Sequence, residues 1–142
     1  GSYGRMGIGM GFVIAAAVVH PDKPIISVSG DSAIGFSGME METACRYQLP
    51  VKIVVFNNGG IGPGHATPPT NPLKTMKPNA LIYGARYDKM MEAFGGKGWF
   101  VENPEVRVGA GDSVQGPSAG QRHDLSGVCP QAATVQVAQL IG

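Results

Sequence analysis

Two short apolar runs with a helical pattern between them restrict the possible folds of this chain more than any other feature. The runs are IISVSG at Ile25–Gly30 and VKIVVF at Val51–Phe56. Both are rich in β-branched residues and have the length of buried strands. Between them, FSGMEMETACRYQ predicts a helix that begins with a capping box formed by Ser37 and Glu40 and ends before Pro50.

A strand–helix–strand unit of this kind joins parallel strands by a right-handed crossover. Continuous apolar strands are typical of a parallel sheet with helices on both faces. The pattern therefore predicts an α/β domain.

The rest of the chain divides into a structured part, residues 1–105, and a tail, residues 106–142. MGFVIAAAVVH at Met10–His20 predicts a buried helix, ARYDKMMEAF predicts an amphipathic helix that ends at the following GG, and GWFVE predicts a third strand. A long Gly- and Pro-rich loop follows Asn58. The tail has no clear period and many Gly, Ser and Gln residues, so we expect loop or disorder there, with AATVQVAQLIG as a weak strand or helix.

Composition excludes several classes of function. The 142 residues suffice for one domain, and 11 Lys and Arg against 10 Asp and Glu leave no basic surface for nucleic acid. The apolar run Phe12–Val19 is too short to cross a membrane. Cys45 and Cys129 have no metal-type spacing and are expected to be reduced thiols. We predict a cytoplasmic protein, or a peroxisomal one in a eukaryote.

Polar residues follow both strands directly, Asp31 after the first and Asn58 after the second. Because parallel strands joined by one crossover end at the same edge of the sheet, we expect both side chains at the carboxyl edge, where open α/β sheets bind ligands. Mg²⁺ prefers oxygen ligands and commonly keeps phosphate oxygens among them. The N–H groups of Ser32 and Ala33 suit a diphosphate. Plain turns after the strands would use the same residue types, so both interpretations stay open.

The motifs around these residues resemble those of thiamine diphosphate enzymes. Gly30-Asp31 followed by Asn57-Asn58 is similar to the family's cofactor signature, with Ser32 where the family usually has Gly. GDSAIGFSGMEMETACRYQLP resembles the branch of oxalyl-CoA decarboxylase and 2-hydroxyacyl-CoA lyase. MGIGMGF, FNNGGI and ARYDKMMEAFGGKG resemble oxalyl-CoA decarboxylase in particular. The resemblance covers residues 1–105 and implies a thiamine diphosphate-binding (PP-type) α/β domain, incomplete at its C-terminal end.

The resemblance also implies roles for individual residues. Asp31, the Asn58 side chain and the Gly60 carbonyl would bind Mg²⁺, and Ser32 and Ala33 would contact the diphosphate.

Further residues would position the organic part of the cofactor. Met6 would support its bent conformation, and the Gly4 carbonyl would accept a hydrogen bond from the 4′-amino group. The bend matters because the amino nitrogen must reach the thiazolium C2 proton. Gly30 and Ile61, beside the metal ligands, complete the implied cofactor-binding set.

The family reaction removes CO₂ or a formyl unit from a CoA thioester, so the resemblance implies an acyl-CoA substrate and a homo-oligomer, a dimer or a tetramer. Gly62 stands where the family usually has Tyr, and the pattern changes abruptly after Glu105. The activating acid of the family lies in its N-terminal domain and reaches in from a second subunit. No catalytic residue is therefore assigned here, and we expect the isolated chain to be inactive, although it resembles a decarboxylase.

Other interpretations remain. An inactive remnant of the same domain and a 2-hydroxyacyl-CoA lyase both fit the motifs. A serine hydrolase with Ser32 as nucleophile would need a partner such as His123 with Asp124, in the least structured stretch. GRMGIGMG resembles a dinucleotide fingerprint, but no strand precedes it.

Overall fold

The computed structural model of the chain describes residues 4–62, 71–101, 107–108, 114–115 and 134–138. Its helices are α1 (Gly9–Val19), α2 (Asp31–Ser37), α3 (Glu40–Arg46), α4 (Pro72–Thr75) and α5 (Tyr87–Ala93). Its strands are β1 (Ile25–Gly30), β2 (Val51–Phe56), β3 (Lys97–Val101), β4 (Arg107–Val108), β5 (Val114–Gln115) and β6 (Thr134–Ala138). The main sheet has the order β1-β2-β6-β3, while β4 and β5 form a separate pair.

All pairings in the main sheet are parallel, which confirms the predicted α/β class. β1 and β2 have the bounds that the sequence predicts, and their register runs from Ile25 opposite Val51 to Gly30 opposite Phe56. The two strands therefore end side by side. The residues that follow them leave the sheet at the same point of its carboxyl edge.

One face of the sheet packs against α1, α3 and α5, and these elements share a single core. Ile53 and Val55 of β2 are fully buried there, together with side chains from four helices: Met10, Val13, Ala17, Ile34, Met41, Ala44 and Met91. The Sγ of Cys45 lies 3.2 Å from the Sδ of Met91. Cys45 is a free thiol, as expected, and burial raises its pKa, with a smaller contribution from the charge of Glu42.

The opposite face of β1 is open. Ile26 and Val28 are 62% and 61% exposed, whereas Ser27 between them is buried. Helices that cover this face, which the sequence predicts, are not among the described residues. α1 likewise buries one side only, since Phe12 and Val19 face outward from a helix that the sequence predicts to be buried throughout.

The predicted capping box is wrong. Ser37 ends α2, a short helix that begins at Asp31 and that the sequence did not predict, and α3 begins separately at Glu40. The first N–H groups of α3 bond to backbone instead: Met41 donates to the Gly38 carbonyl and Glu42 to that of Met39, each at 3.0 Å. Carbonyl groups of the α2–α3 turn therefore accept the hydrogen bonds at the start of α3, in place of the Ser37 side chain.

The tail contributes a central strand. β6 lies between β2 and β3, with Val135 opposite both Ile53 and Gly98. The sequence left strand and helix open for this stretch, and it predicts loop or disorder for most of residues 106–142. The main sheet consequently extends past residue 105. Cys129, His123 and Asp124, and therefore the serine hydrolase interpretation, lie outside the described residues.

α5 and β3 pack closely because glycine occupies two positions. Gly95, at φ +85°, ends α5 as predicted, and its N–H donates to the Glu92 carbonyl at 3.0 Å. A Cβ on Gly98 would lie only 2.2 Å from the Asp88 carbonyl oxygen, so any side chain there forces the helix and the strand apart. Among the described residues, no helix is long and apolar enough to cross a membrane.

We expect Gly98→Ala to lower the free energy of unfolding by about 1–3 kcal/mol, because its methyl group meets backbone rather than a movable side chain. The matched control is Gly35→Ala in α2, where a Cβ would meet nothing within 4 Å. Urea denaturation of both variants measures the difference. A Gly98→Ala chain as stable as the Gly35→Ala chain would contradict the packing described.

Candidate functional site

Asp31 is the centre of the polar cluster at the carboxyl edge of the sheet. It directly follows β1, begins α2 and is only 1% exposed. Its Oδ2 accepts hydrogen bonds from the N–H groups of Gly59 at 2.8 Å and Gly60 at 3.0 Å, and its Oδ1 accepts from the N–H of Ser32 at 2.7 Å. One carboxylate therefore joins the end of β1 to the loop after β2.

The two asparagines after β2 differ in their surroundings. Asn57 is 1% exposed; its Nδ2 donates to the Ala85 carbonyl at 2.8 Å, and its Oδ1 has no partner among the described residues. Asn58 is half-buried, and its Nδ2 donates to the Gly62 carbonyl at 2.8 Å. With Nδ2 bound, the amide oxygen of Asn58 remains the group available to a ligand.

The loop after β2 is held by a second segment, which sequence reasoning missed. Gly60 forms an isolated antiparallel bridge with Ala80. The Ile61 N–H donates to the Asn79 carbonyl at 2.9 Å, and the Asn79 Nδ2 donates back to the Ile61 carbonyl at 3.0 Å. We name residues 79–81 the strap. The only sequence signal was the Asn79-Ala80 pair after a proline, which is too common to predict it.

The bridge leaves the polar groups of Gly60 free of strap bonds. It uses the Gly59 carbonyl, to which Leu81 donates at 2.9 Å, and the Ile61 N–H. The N–H of Gly60 bonds to Asp31 instead. The Gly60 carbonyl therefore lies between two groups that the strap holds, the Gly59 carbonyl and the Ile61 N–H, and it forms no bond to the strap itself.

The predicted residues near the N-terminus are only partly brought to this edge. Ser32 Oγ lies 3.9 Å from the Sδ of Met6, so these two residues meet. Gly7, at φ +86°, turns the chain closely past Phe36 and holds Met6 there. Gly4 is exposed and has nothing near its Cβ position. Because the Ser32 N–H already donates to Asp31, its hydroxyl is the group left for a phosphate.

The oxygen donors of this cluster fit a hard divalent cation. The Asp31 carboxylate is buried, and no Lys or Arg of the described residues forms a salt bridge with it. Backbone N–H groups stabilise this buried carboxylate, and a cation would add the opposite charge that no described side chain supplies by a salt bridge. The described residues contain no group of three His, Cys, Asp or Glu side chains that could hold a metal. A site built from one carboxylate, one amide oxygen and one carbonyl has a different donor set.

An ion pair between half-exposed Arg86 and buried Asp88 follows Ala85, whose carbonyl binds Asn57. The Nε of Arg86 donates to Asp88 Oδ1 at 2.7 Å, and the guanidinium lies 4.5 Å from the centre of the Phe100 ring. Burial acts to raise the pKa of Asp88, but the hydrogen bonds and charge of Arg86 outweigh it, and the pKa is lowered. The pKa of Tyr87 is raised by burial and then by the charge of Asp31.

Comparison with known proteins identifies the family of this site. The sequence profile described as "Thiamine pyrophosphate enzyme, C-terminal TPP binding domain" matches residues 1–111. The 2-hydroxyacyl-CoA lyase of Oryza sativa subsp. japonica is 51% identical over 109 residues, which cover 74% of this chain and 19% of the relative. The oxalyl-CoA decarboxylase of Escherichia coli K12 is 52% identical over 101 residues, which cover 71% of this chain and 18% of the relative. The chain thus spans about a fifth of the length of these relatives.

A solved structure supports the fold. The thiamine diphosphate-dependent 4-hydroxybenzoylformate decarboxylase of Rhodococcus jostii RHA1 superposes with a TM-score of 0.62 at 20% identity, over 94% of this chain and 23% of that one. The superposition extends beyond residue 105, where the sequence resemblance was expected to end.

The Arg86–Asp88 pair predicts a pH dependence. A carboxyl whose pKa is lower in the folded chain than its usual value of 3.8 stabilises the fold above that value. This stability is lost as the pH falls below 3.8 and through the folded pKa. We expect the Asp88→Asn chain to lose less stability than the wild type as the pH falls below 3.8. The change of exposed Asp22 to Asn should leave the dependence of stability on pH as it is in the wild type. Thermal melts between pH 2 and pH 6 measure both. If the melting temperature of Asp88→Asn falls with pH as steeply as that of the wild type, groups other than Asp88 cause the loss of stability in acid.

Proposed function

The chain belongs to the family of thiamine pyrophosphate enzymes, as a C-terminal TPP-binding domain, and from this premise we propose that it binds thiamine diphosphate together with Mg²⁺ in a carbon–carbon lyase that acts on a CoA thioester. The single observation that carries the metal is the buried Asp31 carboxylate, which is bound by backbone N–H groups and has no salt bridge to a described side chain. A divalent cation supplies the missing positive charge.

Three protein oxygens would hold the Mg²⁺: a carboxylate oxygen of Asp31, the Oδ1 of Asn58 and the carbonyl of Gly60. Mg²⁺ takes six oxygens and commonly combines one or two protein carboxylates with phosphate oxygens and water. The bonds that Gly59 and Gly60 donate to Asp31 Oδ2 orient the carboxylate before a metal arrives. Such orientation lowers the ordering cost of binding.

The diphosphate would lie at the start of α2, beside Ser32 and Ala33, with Gly30 and Ile61 lining the edge. Met6 would contact the ring system from its position against the Ser32 hydroxyl, and the Gly4 carbonyl would accept from the aminopyrimidine. When bound, thiamine diphosphate supplies a carbon nucleophile and an electron sink. The residues of this chain bind and orient that cofactor.

The substrate proposal rests on the two named relatives. Both names state a CoA thioester, and their identities to this chain, 51% and 52%, are nearly equal. Oxalyl-CoA decarboxylase-like and 2-hydroxyacyl-CoA lyase-like activities are therefore both supported. Exposed apolar side chains of the N-terminal segment and of the helices that follow it support completion of the domain by another protein surface, as in a homo-oligomer; they are Met6, Ile8, Phe12, Phe36 and Met39. An inactive remnant of the domain is the remaining alternative.

Metal binding is tested by calorimetric titration of the chain with Mg²⁺ and thiamine diphosphate. We expect Asp31→Ala to weaken Mg²⁺-dependent cofactor binding by more than about 100-fold, because both the charge and a ligand are lost. Asn58→Ala should weaken it less, since a neutral ligand is lost. Asp31→Asn keeps the size of the side chain and removes the charge, so it separates loss of binding from misfolding.

The exposed residues Asp22 and Asn71 provide matched controls. Asp22→Ala and Asn71→Ala should bind like the wild-type chain. Unchanged affinity in both Asp31 variants would refute the proposed metal site.

A turnover assay addresses the activity of the chain by itself. The 142-residue chain, expressed alone, should release no measurable CO₂ from oxalyl-CoA, because the activating acid expected from the family is supplied by other protein. Loss of general acid–base help alone costs about 10²–10⁴ in rate. Isotopic CO₂ release from the purified monomer measures this, with a complete oxalyl-CoA decarboxylase as the positive control. Release above background would overturn the assignment of the acid to another domain.

A further inference from the structure

Two consecutive peptide groups in the loop after β2 each have one end bonded to the strap. In the group between Gly59 and Gly60, the carbonyl accepts from Leu81 at 2.9 Å. In the group between Gly60 and Ile61, the N–H donates to the Asn79 carbonyl at 2.9 Å. A trans peptide group is planar, and its C=O and N–H point in opposite directions. The other ends of these two groups, the N–H and the carbonyl of Gly60, therefore point away from the strap.

The side to which these two ends point is the side of the buried Asp31 carboxylate. The Gly60 N–H donates to Asp31 Oδ2 at 3.0 Å. In the antiparallel bridge between Gly60 and Ala80, the N–H and the C=O of one residue lie on the same side of the chain. Pairing with the strap thus directs the Gly60 carbonyl to the side of the loop on which the carboxylate lies.

The side chain of Asn79 completes this pairing where the backbone of the strap does not. In a continued antiparallel ladder, Ile61 and Asn79 would exchange two backbone hydrogen bonds, and only the bond from the Ile61 N–H is present. A turn closed by the bond from the Ala80 N–H to the Lys77 carbonyl, at 2.9 Å, comes directly before the bridge. The Asn79 Nδ2 donates to the Ile61 carbonyl at 3.0 Å and takes the place of the second bond.

Asn79 therefore holds Ile61 at both of its backbone groups, one through the Asn79 carbonyl and one through the Asn79 side chain. Without the side chain, a single bond would remain to fix the rotation of the peptide group that contains the Gly60 carbonyl. Asparagine is also a common turn residue, and a residue that served only the turn would have no effect on a ligand at Gly60. The two roles differ in what they predict for cation binding.

We propose that Asn79 is a positioning residue of the cation site, whose side chain fixes the direction of the Gly60 carbonyl through Ile61. This inference rests on the proposed Mg²⁺ and thiamine diphosphate site, in which the Gly60 carbonyl is a ligand. Asn79 is not itself a ligand of the cation. It acts through the peptide group that it holds.

The first test measures Mn²⁺ binding by the full chain at saturating thiamine diphosphate. Mn²⁺ takes oxygen ligands as Mg²⁺ does, and its free form is counted by electron paramagnetic resonance. Asn79→Ala should weaken Mn²⁺ binding about threefold to tenfold, the range that the loss of one hydrogen bond of this kind allows. Asn79→Leu, which keeps the size of the side chain and removes its donor, should weaken binding to a similar extent. Wild-type affinity in both variants would overturn the proposal.

Two variants provide matched controls. Asn71→Ala changes an exposed asparagine in the segment that leads to the strap, and it should bind Mn²⁺ like the wild type. Gly98→Ala is expected to lower stability at the contact of α5 with β3, away from the strap, and it should also leave Mn²⁺ affinity unchanged. If Gly98→Ala weakens binding as much as Asn79→Ala, lost stability explains both results and Asn79 has no positioning role.

A second test observes the carbonyl ligand itself. With glycine labelled by ¹³C at its carbonyl carbon, a glycine carbonyl that binds Mn²⁺ gives a ¹³C hyperfine coupling in pulsed electron paramagnetic resonance spectra. We expect this coupling in the wild-type chain, and a weaker or more broadly distributed coupling in Asn79→Ala. Identical spectra of the two chains would contradict the role of Asn79.

The outcomes separate this proposal from the proposed function. Normal binding by Asn79→Ala together with lost binding by Asp31→Asn overturns the role of Asn79 and leaves the cation site in place. Binding by the wild type without a ¹³C coupling removes Gly60 from the ligands and overturns the proposal. Absence of Mn²⁺ binding in the wild-type chain overturns both the proposal and the proposed function.

Discussion

The hydrogen bonds that Asp31 accepts from the backbone of Gly59 and Gly60 are the interaction on which the rest of the site depends. They join the ends of two parallel strands through one buried carboxylate. The peptide N–H groups stabilise this carboxylate but carry no full positive charge, so a cation can still add to its stabilisation. The same contact therefore closes the edge of the sheet and orients the carboxylate of the proposed cation site. The Asp31 carboxylate therefore has both a structural role and a proposed functional role.

Further contacts between the sheet and α5 hold the end of β2 in place. Asn57 anchors the strand end to the Ala85 carbonyl, and the Arg86–Asp88 pair fixes the start of α5. Gly98 allows α5 to approach β3 closely. The loop that contains Asn58 and Gly60 is bonded on one side to Asp31 at the start of α2 and on the other side to the strap. Preorganisation of this kind lowers the ordering cost of cofactor binding.

Most of the fold could be predicted from local pattern, and the failures have identifiable causes. The bounds of β1 and β2 agree with the apolar runs because both runs are short, rich in β-branched residues and followed directly by polar residues. The capping box failed since Ser37 was already part of α2, and backbone carbonyls of the turn bonded the first N–H groups of α3. β6 was left as one of two alternatives because TVQVA is a central strand only when β2 and β3 are beside it.

The sequence by itself determined that Asp31 and Asn58 would lie at the same edge of the sheet, since a crossover between parallel strands brings their ends to one edge whatever the surrounding detail. It also determined the family, through the motifs around that edge. Only the tertiary structure decided which end of the Asn58 amide is free, that Asn79 holds the loop, and that the Ser32 N–H is already bonded. Hydrogen-bond partners that are distant along the chain, or that depend on a single φ angle, leave no periodic pattern in a sequence. They exist only once the elements have packed.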